Sequence, residues 1–163
     1  MKVLVTAASK HGATHEIAEH IAEAMVGRGL QVELHDLVDI GTLAGYDAIL
    51  LGSAVYAGSW RKEAIAFAES HGAQLREVPV WLFSSGPLGE EAAEQVELNR
   101  AEELMEMTGA KSHTWFHGRL DKDQLSLGER AVVKMVMAPY GDFRNWDEIE
   151  AWAGDIADEL AGR

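Results

Sequence analysis

Short apolar runs alternate with longer amphipathic stretches along the chain. The runs at residues 3–7, 48–51 and 80–83 are largely apolar, which is typical of parallel strands that helices cover on both faces. Residues 32–34 alternate apolar and polar side chains, which favours an edge strand, and residues 113–117 form the last candidate strand. The pattern therefore predicts five strands.

Helix-like stretches separate these strands. The first starts near His15 and places Ile17, Ile21 and Met25 on one stripe. Comparable spacing occurs at about 61–75, 90–107 and 146–160, and Asn145 is the predicted N-cap of the last helix. Because strands and helices alternate without a Pro- or Ser-rich linker, the sequence predicts a single α/β domain over residues 1–163.

A segment at about 120–144 interrupts this alternation before the last helix. It is longer than most connections between a strand and a helix. Val132, Val133 and Val136 would give a helix at 124–137 a broad apolar face. Such a face either packs on the sheet or in a dimer, or covers a ligand pocket, meets an apolar substrate or rests on a membrane. The sequence leaves these alternatives open.

Composition and charge narrow the range of functions. Hydrophobic residues make up 47% of the 163 residues, enough for a core, and the chain has no cysteine, which excludes disulfides, iron–sulfur clusters and a thiolate nucleophile. The net charge of −13 disfavours nucleic acid and anionic lipid. It suits a basic redox partner, although acidic residues also serve solubility alone. No apolar run approaches a membrane span, so we expect a cytoplasmic protein, at most peripheral to the membrane.

The first candidate site is the stretch Ser9-Lys10-His11-Gly12-Ala13-Thr14, between the first strand and the first helix. A small, polar turn that opens a helix presents free backbone N–H groups, which together with the helix dipole favour an anion. Its position therefore indicates a phosphate-binding loop. The alternative is an ordinary turn with Thr14 as the N-cap, in which His11 faces solvent.

Two further stretches rich in glycine and small residues follow predicted strands. They are Gly52-Ser53-Ala54-Val55-Tyr56-Ala57-Gly58 and Ser84-Ser85-Gly86-Pro87-Leu88-Gly89. In an open parallel sheet, ligands bind beyond the carboxyl ends of the strands, where three such loops would meet. A Walker A motif is absent because no Gly-Lys-Ser/Thr follows Gly12, and the dinucleotide fingerprint fails because Gly27 and Gly29 follow the first helix. A mononucleotide or a flavin mononucleotide (FMN) remains.

Other site chemistries find little support. His11 and His15, like His113 and His117, are four residues apart, but no third ligand is evident, and we predict no metal site. The serines near glycine do not form a Gly-x-Ser-x-Gly frame, which argues against a hydrolase.

The three stretches carry a family resemblance. Residues 9–14 resemble the flavodoxin phosphate loop, in which hydroxyl residues surround a Gly-x-Thr, and residues 52–60 and 84–87 look like the two flavin-contacting loops. Within flavodoxin-like proteins, the chain is most similar to the flavodoxin-domain family that includes menaquinone-dependent protoporphyrinogen IX dehydrogenase. This narrower likeness rests on residues 129–137, which are similar to that family's basic and apolar helix before the final helix.

The resemblance implies an α/β, flavodoxin-like three-layer sandwich with bound FMN. Its five-stranded parallel sheet has the order 2-1-3-4-5, and a helical insertion precedes the last helix. It also implies that the loop holds the ribityl phosphate and that the other two stretches flank the isoalloxazine ring, where Tyr56 or Trp60 either stacks on the ring or packs against the next helix. The flavin supplies the chemistry, so no catalytic side chain is identified. The implied cofactor-binding residues are Ser9, Lys10, His11, Gly12, Ala13, Thr14, Ser53, Ala54, Val55, Tyr56, Ala57, Gly58, Ser84, Ser85, Gly86 and Pro87.

The implied function is that of an FMN-dependent oxidoreductase of heme biosynthesis, which passes two electrons from an organic substrate such as a porphyrinogen to a quinone. The alternative is a flavodoxin-type one-electron carrier that docks to redox proteins. The resemblance is compatible with a homodimer and with a position at the inner face of the membrane.

Overall fold

Five long parallel strands form the central sheet. The computed structural model describes residues 1–56, 58–86 and 101–162. The five strands are β1 (Lys2–Ala8), β2 (Gln31–Leu34), β3 (Ala48–Tyr56), β5 (Val80–Gly86) and β6 (Ser112–His117). Because the two-residue strand β4 (Ser59–Trp60) only folds back on β3, the five long strands have the predicted 2-1-3-4-5 order, which is confirmed.

Helices cover both faces of this sheet. On one face lie α1 (Ala13–Gly27) and α5 (Trp146–Ala161), which pack on Val3, Val5 and Phe83. On the other lie α2 (Lys62–Leu75) and the helix at residues 101–108, α3, which pack on Leu4, Ile49 and Leu82. Alternate residues of β1 thus enter opposite cores, which accounts for its nearly continuous burial. Among the described residues, no helix is both long and apolar enough to cross a bilayer.

The predicted insertion is a small subdomain between β6 and α5. It opens and closes with an antiparallel pair, β7 (Arg119–Leu120) and β8 (Gly141–Asp142), and carries α4 (Leu127–Val136) between them. The sequence pattern missed β4, β7 and β8, because a two-residue strand shows no period.

The predicted helix at 124–137 is wrong at both ends. Residues 122–124 form a separate 3-10 turn, and α4 begins only after Ser126, whose hydroxyl accepts from the Glu129 amide while the Glu129 carboxylate accepts from the Ser126 amide. This capping box satisfies two otherwise free amides and sets the start of the helix. At the other end, Met137 adopts the left-handed conformation with φ of 55°, which ends the helix. The N-cap prediction for Asn145 is confirmed, since its side chain accepts from the Glu148 amide at 3.3 Å.

Two stretches predicted as loops are instead continuations of strands. Residues 52–56 belong to β3 and residues 84–86 to β5, where Ser53 pairs with Ser84 and Ala54 with Ser85. Gly52 is required in the ladder, since a Cβ there would lie 2.2 Å from the ring of Phe83. The small residues therefore serve close packing within the sheet, a role that their composition did not distinguish from a turn. Ala57, Pro87 and residues 88–100 lie outside the described residues.

Candidate cofactor site

One pocket lies at the carboxyl ends of β1, β3 and β5, beneath the insertion. Its volume is about 880 Å³, counting the part that opens to solvent. Of the residues predicted to bind the cofactor, the structure brings ten, from three segments of the chain, to this one place. The lining residues from the predicted stretches are Ser9, Lys10, His11, Ala13, Thr14, Ala54, Val55, Tyr56, Ser85 and Gly86.

The loop before α1 has the backbone form of an anion cradle. Gly12 adopts φ of 86° and is the N-cap of α1, and the Ser9 hydroxyl accepts a hydrogen bond from the Gly12 amide at 3.0 Å. Across the described chain, the amides of residues 10, 11, 13 and 14 donate no hydrogen bond to another protein group. A cluster of free amides at the start of a 15-residue helix is a favourable place for a phosphate. Gly12 itself faces a second cavity, behind the loop.

His11 provides a second indication that a ligand belongs beside the loop. Its Nε2 atom is buried and has no hydrogen-bond partner, and the nearest acidic atom, Glu129 Oε1, is 3.6 Å away. A buried polar atom without a partner is uncommon and costs free energy. A phosphate oxygen would satisfy it, so the donor set of free amides, Lys10 and His11 fits a phosphate-bearing cofactor.

The ends of β3 and β5 supply the next wall of the pocket. Tyr56 is partly exposed there, with the Lys10 ammonium 5.1 Å from its ring centroid. Burial, and then hydrogen bonding to Glu129, raises the pKa of the Tyr56 hydroxyl, so Tyr56 stays protonated and can donate. Ser85 and Gly86 line the pocket, and a Cβ on Gly86 would meet Trp115 at 2.8 Å.

The remaining predicted residues on these strands serve the framework. Ser53 is fully buried, and its hydroxyl accepts from the Arg61 amide at 3.0 Å and donates to the carbonyl of Ala54. Ser84 is also fully buried. Of the described residues, Ser53, Ser84 and Gly58 do not line the pocket. Trp60, one of two candidates for ring stacking, is buried with its indole N–H donating to the Ser84 hydroxyl at 2.7 Å. The packing alternative therefore holds for Trp60.

A polar chain of the buried Trp60 and Ser84 and the partly buried His113 lies next to the pocket wall. The Ser84 oxygen accepts from Trp60, so its own proton is free to donate to His113 Nε2, 2.7 Å away. Burial lowers the pKa of His113 from 6.5 to about 4, which keeps the imidazole neutral and able to accept. The chain joins β4, β5 and β6 at the level of the pocket.

We expect His113 to make folding sensitive to acid. A histidine whose folded pKa lies below its unfolded value stabilises the fold above pH 6.5, and this stability is lost as the pH falls towards 4. When the pH is lowered from about 7 to about 5, the depressed pKa of His113 should lower the free energy of unfolding by about 2 kcal/mol. Chemical denaturation at both pH values measures this loss, which should be absent in His113→Gln and retained in the exposed-site control His35→Gln. An equal loss in both variants would contradict the assignment.

A carboxylate from the insertion closes the pocket over the loop. Glu129 is only 8% exposed and makes an ion pair with Lys10, and its other oxygen accepts from the Ser126 amide at 2.7 Å. The hydrogen bond from Lys10, and then that from Ser126, lowers the pKa of the Glu129 carboxyl to about 2. Sequence reasoning missed Glu129 as a site residue, although Ser126 followed by glutamate at the third position was a readable capping signal.

The insertion also supplies an apolar wall, which the site prediction had not included. Its inner side chains face the ligand loops, while Leu127 and Met135, each 82% exposed, and Met137, 87% exposed, point to solvent. The structure thus favours the alternative in which the insertion covers a pocket. The pocket residues outside the predicted stretches are Gly118, Arg119, Leu120, Leu125, Glu129, Val132, Val133 and Ala138.

Arg144 connects the end of the insertion to the loop. Its side chain is 5% exposed, and its guanidinium donates to Asp142 at 2.7 and 2.9 Å and to the Ala13 carbonyl at 3.4 Å and makes an ion pair with Glu16. The hydrogen bond from Arg144 is the main cause that lowers the pKa of the Glu16 and Asp142 carboxyls. Since Ala13 and Glu16 lie in the first turn of α1, Arg144 fixes the subdomain against the loop. Among the described residues, no cluster of three or more potential ligands suits a metal ion.

Comparison with known proteins shows the family of the chain. The family model described as "Flavodoxin domain" matches residues 4–147, so the chain belongs to the flavodoxin-domain family. It is 25% identical to a flavodoxin from Maridesulfovibrio salexigens over 98% of this chain and 99% of that protein. Flavodoxin homologues bind FMN, as the sequence analysis expected of the family.

Solved structures confirm the fold. A flavodoxin from the domain Archaea superposes with a TM-score of 0.69 at 18% identity and covers 99% of both chains. Rubredoxin oxygen:oxidoreductase from Desulfovibrio gigas superposes with a TM-score of 0.67 at 15% identity, over 99% of this chain and 36% of that one. The same fold therefore occurs alone and as part of a larger redox enzyme.

Proposed function

We propose that the chain binds FMN in the pocket under the insertion and transfers electrons to and from a redox partner, as a flavodoxin-type carrier. The observation that carries this proposal is the convergence of the free amides of the 9–14 loop, the buried unpaired His11 Nε2 and the ends of β3 and β5 on one pocket. The family match supports it independently.

Each wall of the pocket has a distinct task in this proposal. The amides of residues 10, 11, 13 and 14, with the Lys10 ammonium, hold the phosphate, while Ala54, Tyr56 and Ser85 lie where the ring would be flanked. Bound FMN supplies the ability to accept and release one or two electrons. Val132 and Val133 give the pocket an apolar wall on one side, and the protonated Tyr56 hydroxyl offers a hydrogen-bond donor at the rim.

A second candidate function is a two-electron oxidoreductase that acts on a quinone or a porphyrinogen, similar to menaquinone-dependent protoporphyrinogen IX dehydrogenase. The observation that favours it is the apolar wall of α4, because a carrier needs only an exposed flavin edge, whereas an apolar wall beside the pocket suits a planar organic substrate.

Reconstitution tests the shared part of both proposals. The protein is freed of ligand, incubated with excess FMN and desalted, and we expect about one FMN to be retained, seen as flavin absorbance. Retention of no flavin would refute both functions.

Redox experiments on the reconstituted protein separate the two. A carrier should take up its two electrons in two resolved steps and should reduce a small basic haem protein at a rate that falls with salt, given the charge of −13. An oxidoreductase should take up both electrons together and turn over with a soluble quinone.

A further inference from the structure

We propose that the Glu129 carboxylate competes with the cofactor phosphate for the cations of the 9–14 loop. This inference rests on the proposed function and adds an internal competitor, which sets the affinity for the phosphate.

The first support is the convergence on Glu129 of side chains from two other segments. Lys10 forms an ion pair with it, and the ring nitrogen of His11 lies 3.6 Å away, both from the loop. From the end of β3, the Tyr56 hydroxyl lies close enough to the same carboxylate to help lower its pKa. These polar groups lie on the wall that would receive a phosphate, yet they face the Glu129 carboxylate of the insertion.

The second support is charge. The loop has one permanent cation, Lys10, and one titratable group, His11. A phosphate monoester carries nearly two negative charges at neutral pH. Glu129 is itself held ionised, because the Lys10 and Ser126 contacts stabilise its charged form. Two anions that share one ammonium group repel each other, so a bound phosphate and an ion-paired Glu129 oppose each other directly.

The third support is the way in which α4 is attached. Both ends of the insertion are fixed by the β7–β8 pair and by Arg144. The helix between them has an exposed outer face, at Leu127 and Met135, and reaches the loop through Glu129. The ends of the insertion therefore do not depend on the Glu129 contact, and the Glu129 side chain can leave Lys10 when a phosphate binds.

The test is Glu129→Gln, which removes the charge and retains the capping box, because glutamine also serves at that position. The dissociation constants of FMN and of riboflavin, which lacks the phosphate, are measured by flavin fluorescence at low salt. We expect the variant to bind FMN about tenfold more tightly than the wild type, with riboflavin unchanged. The matched control is Glu23→Gln on the exposed face of α1, which removes one charge roughly 15 Å from the loop and should change neither constant by more than about twofold.

Other results would overturn the proposal. Weaker or unchanged FMN binding in Glu129→Gln would mean that Glu129 positions Lys10 rather than competes with the phosphate. Equal gains for FMN and riboflavin would mean that the effect does not involve the phosphate.

If the wild type binds neither flavin, the proposed function fails on its own, and inorganic phosphate then decides the inference. Phosphate should raise the thermal midpoint of Glu129→Gln by more than that of the wild type. An equal or smaller rise would refute the competition.

Discussion

Replacing Gly12 with valine is expected to weaken FMN binding about 100-fold. Gly12 holds φ of 86° at the N-cap of α1, a conformation in which a β-branched residue is strained by about 2–3 kcal/mol. The ligand-free loop can relieve this strain by changing shape. When the loop binds a phosphate, its amides must all point at the ligand, so the loop cannot change shape to relieve the strain. The strain energy therefore weakens FMN binding. Titration of the apoprotein with FMN measures the change.

Gly29→Val is the matched control for this prediction. Gly29 lies beyond the other end of α1, has the same φ of 86°, and like Gly12 has no atom within 4 Å of the Cβ position. The Gly29→Val variant should therefore be less stable than the wild type, because its valine is strained in the same way. Its FMN affinity should stay within about twofold of the wild type. A similar loss of affinity in both variants would show that the effect comes from general destabilisation, and the phosphate would have to bind elsewhere.

Replacing Arg144 with glutamine is expected to lower the unfolding free energy by about 2–3 kcal/mol and to weaken FMN binding as well. Breaking a buried ion pair usually costs about 3–5 kcal/mol, but Glu16 and Asp142 are each nearly half exposed, which reduces the cost. The guanidinium also stacks over Trp146, 4.6 Å from the ring centroid, and this contact is lost too. Chemical denaturation measures the stability, and FMN titration measures the consequence for the loop.

Arg28→Gln provides the comparison. Arg28, at the end of α1, also bridges two parts of the chain. It donates to α5 at the Gly154 carbonyl (3.2 Å) and at Asp158 (2.7 Å), but its side chain is 44% exposed. Its loss should cost no more than about 1 kcal/mol and leave FMN binding unchanged. If Arg144→Gln were as mild as Arg28→Gln, the proposed link between the insertion and the loop would be wrong.

The fold could be predicted from the sequence because its signals are local and repeated. Apolar runs such as 48–51 and 80–83 can be buried only between two helical layers, and the helices that follow them carry apolar stripes at the matching period. The element boundaries were less accurate, because Ser53 and Ser84 extend the strands by pairing with each other, a contact across 31 positions that no local pattern contains.

The site was predicted in part. Residues 9–14 were singled out because a strand, a short polar turn and a helix are adjacent in sequence, and the structure places most of them on the pocket. Trp60, one alternative for ring stacking, is a buried partner of Ser84 and His113 instead. A stacking role for Tyr56, which does lie at the pocket, remains a prediction.

The sequence by itself determined the alternation of strands and helices, the loop that opens α1 and the presence of an extra segment before the last helix, because each depends on neighbouring residues. The order of the strands was predicted from the family resemblance alone. Only the tertiary structure decided what that segment does. Glu129 and Arg144 reach the loop from more than 115 positions away, and their ionic contacts exist only once the chain has folded. The chemistry of the loop therefore depends on an insertion whose apolar pattern indicated burial but could not indicate against what.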